Sequence, residues 1–200
     1  MTAHNHSQRP AETDAGPTDF VHQALRTDMM TPPELHIVPV GPADWRQFRS
    51  ARLEALAESP EMFGSTLSRE EAFDEQEWRR RAARPVSFLA SRGDQVIGLT
   101  GVHEFDGVWV VVGMWVPPGA RGTGVVDALM SACEKVARQA GADTLVLGVM
   151  EENKAGVRAY RRLGFQPTGA SEFVCDKGCE LWMRKSLLTP GTPPAGESTR

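Results

Sequence analysis

The 200-residue chain is poor in cysteine, in tyrosine and in lysine, and no charge of one sign dominates it. There are three cysteines: Cys133, Cys175 and Cys179. An odd count cannot close a full disulfide framework. The N-terminus has neither a basic n-region nor an apolar h-region, so the expected setting is reducing and cytoplasmic. A formal net charge of −4 and a pI near 5.8 exclude a general nucleic-acid binder. No apolar run approaches the roughly 18–20 residues that cross a bilayer, so no membrane partner is expected. The 22 basic residues divide into 18 arginines and 4 lysines, a bias that says little about function. No metal is expected either: His4-Asn5-His6 is a sparse pair in a polar stretch. No nucleophile–histidine pair points to a covalent intermediate on the protein.

Composition divides the chain in three. Residues 1–33 are polar, proline-bearing and without period, which reads as a disordered leader. Residues 189–200, opening on Thr189-Pro190-Gly191, read as a similar tail. The span 34–188 has the length of one domain. Within it a first strand covers 35–38. Pro42-Ala43-Asp44 opens a helix with Trp45, Phe48, Leu53, Leu56 and Ala57 at three- and four-residue steps. A second helix starts after Ser68, with Glu71 as its capping-box partner, and runs to about residue 83. Strands follow at 86–90, at 95–104 with Gly98 and Gly101 as candidate bulges, and at 108–116 after the Asp106-Gly107 turn. A helix buries Val125, Val126, Leu129, Cys133, Val136, Ala137 and Ala140, leaving Asp127, Glu134, Lys135 and Arg138 to water. The apolar run 143–150 is a sheet-centre strand, so 108–150 forms a parallel β-α-β crossover. A helix over 153–163 and a hairpin over 165–174 and 179–187 complete the order.

Two segments carry chemistry. The first is Pro117-Pro118-Gly119-Ala120-Arg121-Gly122-Thr123-Gly124, between a strand and a helix. Unpaired N–H groups and the helix dipole at such a junction favour a phosphate anion. The dinucleotide fingerprint G-x-G-x-x-G lacks its third glycine here, and the P-loop G-K-[ST] is absent. R-x-x-G-x-G/A matches at Arg121 and Gly124 and ends on Val126. The second segment is Asn153-Lys154-Ala155-Gly156-Val157-Arg158-Ala159-Tyr160 with Gly164-Phe165 after it. Seven steps of about 100° bring Asn153 and Tyr160 to one helical face.

With the order β–α–α–β–β–β–α–β–α–β–β, these motifs make the chain resemble the GNAT superfamily of N-acetyltransferases over about 35–187. The resemblance implies an α/β fold with a mixed, mostly antiparallel sheet flanked by helices and the crossover at the cofactor site. It implies acetyl-CoA as cosubstrate, with no metal. Backbone groups of Met114 and Val116 would pair with the pantetheine arm, the Val116 N–H serving as oxyanion donor. The amides of Gly122, Thr123, Gly124, Val125 and Val126 would cradle the pyrophosphate. Arg121 would contact phosphate, and Asn153 the cofactor arm or the helix N-terminus. Tyr160 would protonate the departing thiolate. A glutamate found on the fifth strand of related ribosomal-protein enzymes is replaced here by Gly148, which leaves Glu104, or Glu151 or Glu152, as the base. The acidic run of Glu58, Glu61, Glu70, Glu71, Asp74, Glu75 and Glu77 would draw a cationic amine, on a small molecule or a protein, with Arg79-Arg80-Arg81 offsetting the field locally. The rival reading is a non-catalytic acyl-CoA sensor, and a homodimer is compatible with either.

Overall fold

The structure is a computed structural model that describes residues 33–83, 86–174 and 178–188. The expected leader (Pro33 apart) and tail lie outside the described residues, as does Cys175.

The strands are β1 (Leu35–Pro39), β2 (Val86–Arg92), β3 (Gln95–Phe105), β4 (Val108–Trp115), β5 (Thr144–Met150), β6 (Gln166–Val174) and β7 (Gly178–Ser186). The helices are α1 (Trp45–Glu58), α2 (Leu67–Glu71), α3 (Glu75–Ala83), α4 (Val125–Gln139) and α5 (Lys154–Arg162). All seven strands form one sheet in the order β1-β2-β3-β4-β5-β7-β6. Only the β4–β5 neighbours are parallel, joined through α4; the other pairs are antiparallel. Successive residues of β2 serve opposite faces, as strand geometry requires. Phe88 and Ala90 join the cluster under α4 with Leu129, Cys133 and Ala137. Leu89 joins the cluster under α1 with Ala55, Leu56 and Trp115. The sheet is thus covered on both faces.

Three local readings need correction. The single helix expected after Ser68 is two. Thr66, not Ser68, caps α2 by accepting from the Arg69 N–H at 3.3 Å. Asp74 then starts α3 by accepting from the Glu77 N–H at 2.8 Å. A second short-range cap inside the segment ends the first helix, as Asp side chains favour. Glu134 does not face water: it is buried and bridges Lys185 at 2.6 Å and Arg138 at 3.0 Å. The strand β7 brings Lys185 there, which helical periodicity cannot show.

The glycines of β3 do different work. Gly98 borders the expected irregularity, since Ala90 pairs with Gly98 but Ser91 with Val96, and it also lets α4 come close: a Cβ there would lie 3.0 Å from Val125 and 3.1 Å from Leu129. The register shift near Gly101 belongs to β4, where Val112 pairs with Gly101 and Trp115 with Leu99. The extra residue lies in Val112-Gly113-Met114, and Gly113 has a φ of +64°. A bulge twists its strand away from the regular ladder. It coincides with the point where β4 and β5 part. Their pairing covers only Trp109–Val111 against Leu145–Leu147.

Candidate active site

Beyond Val111 and Leu147, the backbones of β4 and β5 form no further ladder pairs. Two clefts share this opening. One, of about 780 Å³, runs from Met114 and Val116 past Arg121, Gly122 and Gly124 to α5. The other, of about 560 Å³, lies between Phe63, Arg52 and the ends of β4, β5 and β7. Met114, Asn153 and Tyr160 line both.

The larger cleft is built for an anion at one end. After a 3-10 turn at Pro118–Ala120, Gly122 and Gly124 take φ of +74° and +85°, and a Cβ on either would meet nothing within 4 Å. Their backbone conformation, not crowding, calls for glycine. Gly124 is the N-cap of α4 and offers no side chain to it. The first-turn amides of a 15-residue helix are therefore open to the cleft side of the loop. Thr123 turns its hydroxyl inward, donating to the Ala120 carbonyl at 2.7 Å.

Arg121 is held at the other side of this loop. Its Nε donates to the Val116 carbonyl at 2.9 Å, and its Nη2 donates to both carboxylate oxygens of Glu58 at 3.0 and 2.8 Å. Glu58 also accepts from the Trp115 indole at 3.1 Å and from the Ser59 hydroxyl. Burial pushes its carboxyl up. The hydrogen bonds from Ser59 and Trp115, with the charge of Arg121, outweigh that and hold it below the usual carboxylate range. Glu58 therefore stands as an anion at the end of α1, clamping the strand–loop junction after β4. Sequence reading counted it only among the acidic residues. Trp115 and Arg121 lie 57 and 63 residues away, so no local signal marks this role.

Asn153 caps α5, its Oδ1 accepting from the Gly156 N–H at 2.8 Å. A Cβ at Gly156 would lie 2.6 Å from the Asn153 amide, so the cap needs glycine there. One turn on, Tyr160 is buried with its ring edge-on to Phe165, centroids 6.1 Å apart. Burial pushes the phenol well above its ordinary pKa, and Cys133 adds to the rise. The hydroxyl thus keeps its proton at neutral pH.

Glu104 is not brought to either cleft. It pairs with Trp109 at the hairpin end of β3, and its carboxylate accepts from the Gly107 N–H of the turn. Four residues separate it from Thr100 in the smaller cleft, or about 13 Å along a strand. The strand β3 borders the cleft at Leu99 to Gly101 and has left it by Glu104. Glu151 and Glu152 are exposed in the turn after β5 and line neither cleft.

A carboxylate that sequence reading did not weigh is there instead. Glu180 lies on β7 opposite Met150 and lines the smaller cleft. A Cβ on Gly148 would lie 2.5 Å from both Cδ and Oε1 of Glu180. The carboxylate of Glu180 therefore fills the space a side chain at 148 would take.

The expected acidic field around the smaller cleft is also corrected. Its wall carries Arg52, Arg80 and Arg81. Glu70 and Glu77 are consumed by these arginines, at 2.9 Å for Arg52–Glu70 and 2.6 Å for Arg80–Glu77. Charges adjacent in sequence fold into pairs that cancel.

Comparison with known proteins agrees with this architecture. The acetyltransferase (GNAT) family matches residues 51–165, more than half of the chain, and the chain belongs to that family. A mycothiol acetyltransferase of Streptomyces avermitilis is 40% identical over 80 residues, 39% of this chain and 26% of that protein. One from Streptomyces scabiei is 34% identical over 118 residues, 58% of this chain and 37% of that protein. The chain thus aligns with little more than a third of these relatives at most. Among solved structures, Salmonella typhimurium yncA with its cofactor acetyl-CoA superposes with a TM-score of 0.64 at 20% identity, covering 82% of this chain and 99% of that one. The PaiA N-acetyltransferase of Thermoplasma acidophilum in complex with coenzyme A gives 0.61 at 14% identity, covering 76% and 99%. At these identities the likeness is one of fold.

Proposed function

We propose that the protein transfers an acetyl group from acetyl-CoA to a primary amine, on a small molecule or an exposed protein site, by direct attack in a ternary complex. The observation that carries this reading is the parting of β4 and β5 beside an uncapped, glycine-started helix, with Tyr160 at the junction of two clefts. Family membership supports the transferase activity. The cofactors named for the Salmonella and Thermoplasma structures support acetyl-CoA as donor. A reducing, cytoplasmic setting belongs to the same reading, in keeping with the odd count of three cysteines.

The residues present fit such a donor. The amides from Gly122 to Val126 would hold the pyrophosphate at the positive end of α4. Met114 near the end of β4 and Val116 just beyond it, past the last pair with β5, would hydrogen-bond the amide-bearing arm as a further strand would. The Val116 N–H would stabilise charge on the thioester oxygen. The Val116 carbonyl is taken by Arg121, which fixes the peptide that precedes the loop. Arg121 would offer phosphate its Nη1, since Nε and Nη2 are held by the Val116 carbonyl and Glu58. Asn153 holds α5 in register, and Tyr160 on that helix donates its proton to the sulfur as the C–S bond breaks.

Replacing Tyr160 by Phe tests the reading, since it deletes the hydroxyl and keeps the ring against Phe165. The turnover number should fall about 10²-fold or more with little change in acetyl-CoA affinity. Undiminished turnover would return Tyr160 to packing alone.

A further inference from the structure

Gly148 and Glu180 belong to one face of the sheet. Met150 is opposite Glu180 and Gly148 is opposite Trp182, so Gly148 and Glu180 are diagonal neighbours across β5 and β7. Side chains at positions two apart on one strand share a face. Because Gly148 has none, the Glu180 side chain leans along the face into its place, beside the opening between β4 and β5. We propose that Glu180 is the general base of the transfer, delivered from β7 into the position that Gly148 vacates on β5. This rests on the amine acetyltransferase reading above.

Several features make Glu180 suited to the task. It shares the cleft with Tyr160, the proposed acid, so proton acceptor and proton donor border one space. No hydrogen bond or ion pair ties up its carboxylate among the described residues, unlike Glu58, Glu70 and Glu77. Among the described residues, the titratable and charged groups around it are Glu172 opposite it on β6, Glu152 beside Gly178, Tyr160 on α5, and Arg52, Arg80 and Arg81 along the cleft wall. Burial raises its carboxyl pKa and Glu172 adds to the rise, which moves it toward the range useful to a base near neutral pH. The three arginines already face Glu70 and Glu77 and leave the carboxylate the cleft's proton acceptor.

The proton balance closes. Glu180 takes one proton from the substrate ammonium, freeing the nitrogen lone pair. The C–N bond forms to the thioester carbon and the C–S bond breaks. Tyr160 gives its proton to the thiolate and regains one from solvent, while the amide nitrogen sheds a second proton and Glu180 releases the first. The sum is one ammonium and one thioester giving one amide, one thiol and one proton.

The test uses the full chain, acetyl-CoA and four amine probes: an aminoglycoside, spermidine, an amino-acid amide and a peptide with a free α-amine. CoA release is followed against pH for wild type, E180Q, E180A and the pair G148E/E180A. A base works only when deprotonated, so wild-type kcat/KM should fall as pH drops through the Glu180 pKa. In E180Q that acid limb should vanish and the rate should drop about 10²-fold. The pair variant returns a carboxylate to the same space from β5, where Gly148 has no positive φ to strain. It should recover at least tenfold over E180A. Thermal melts guard against misfolding, and E180Q should melt no lower than wild type at pH 7. A folded E180Q with the wild-type rate, an acid limb that persists in it, or a pair variant no better than E180A each overturns the proposal while the transferase reading stands. A wild-type protein that acetylates none of the four probes overturns the amine reading and this inference with it.

Discussion

Glu70→Gln probes the ion pair that shapes the wall of the smaller cleft. Glu70 is fully buried and accepts from Arg52 Nε at 3.0 Å and Nη2 at 2.9 Å, with Arg81 3.7 Å away. The Arg52 side chain is only 13% exposed and lies over the Phe63 ring at 4.7 Å, so it cannot turn out to water without losing that packing. Gln keeps one acceptor but aims an NH₂ group at a guanidinium that has only donors. Removing one partner of a buried pair leaves an uncompensated charge and costs about 3–5 kcal/mol. In a domain of this size that lowers Tm by roughly 6–20 °C, taking ~2–4 °C per kcal/mol. The pH dependence carries a sign. Burial raises the Glu70 carboxyl, but the Arg52 hydrogen bonds and charge, with Ser65 and Arg81, hold it below the usual carboxylate range. A group depressed on folding contributes stability that is full above its unfolded pKa and lost as pH falls through the folded one. The gap between wild type and Glu70→Gln should therefore be constant from pH 7 down to about 5 and close at lower pH. Urea melts at several pH values measure it. A gap below about 1 kcal/mol at pH 7, or one that does not close in acid, would refute the buried-pair account.

Two further perturbations bear on the site. Gly124→Glu places bulk and a negative charge at a φ of +85° on the N-terminus of α4, and calorimetry should show CoA binding weakened at least tenfold, or ~1.4 kcal/mol; unchanged affinity in a folded variant would remove the pyrophosphate assignment. Gly148→Ala brings a methyl within 2.5 Å of the Glu180 carboxylate, the flexible end of a side chain, so Tm should move little while amine acetylation falls about tenfold or more; equal activity would show that the place of the carboxylate does not matter.

The sequence by itself determined the order of the strands, the glycine-started helix α4 and the common face of Asn153 and Tyr160, though not the split of the helix after Ser68 into α2 and α3. These are local properties. Periodicity, left-handed glycine positions and helix caps act over a few residues, so neighbours along the chain carry the signal. The tertiary structure decided the charges. Glu58, in the acidic run at the end of α1, meets Trp115 and Arg121 only through folding. Glu70 and Glu77 turn from an acidic field into counter-ions for Arg52, Arg80 and Arg81. Glu104, three residues past the cleft-lining Gly101, lies at the far end of its strand because β3 runs away from the site. Glu180 reaches the site because β7 pairs with β5 in a register that puts it diagonal to a glycine. Register between strands 30 residues apart is fixed by packing of whole faces, and a one-residue slip would turn Glu180 to the other face of the sheet.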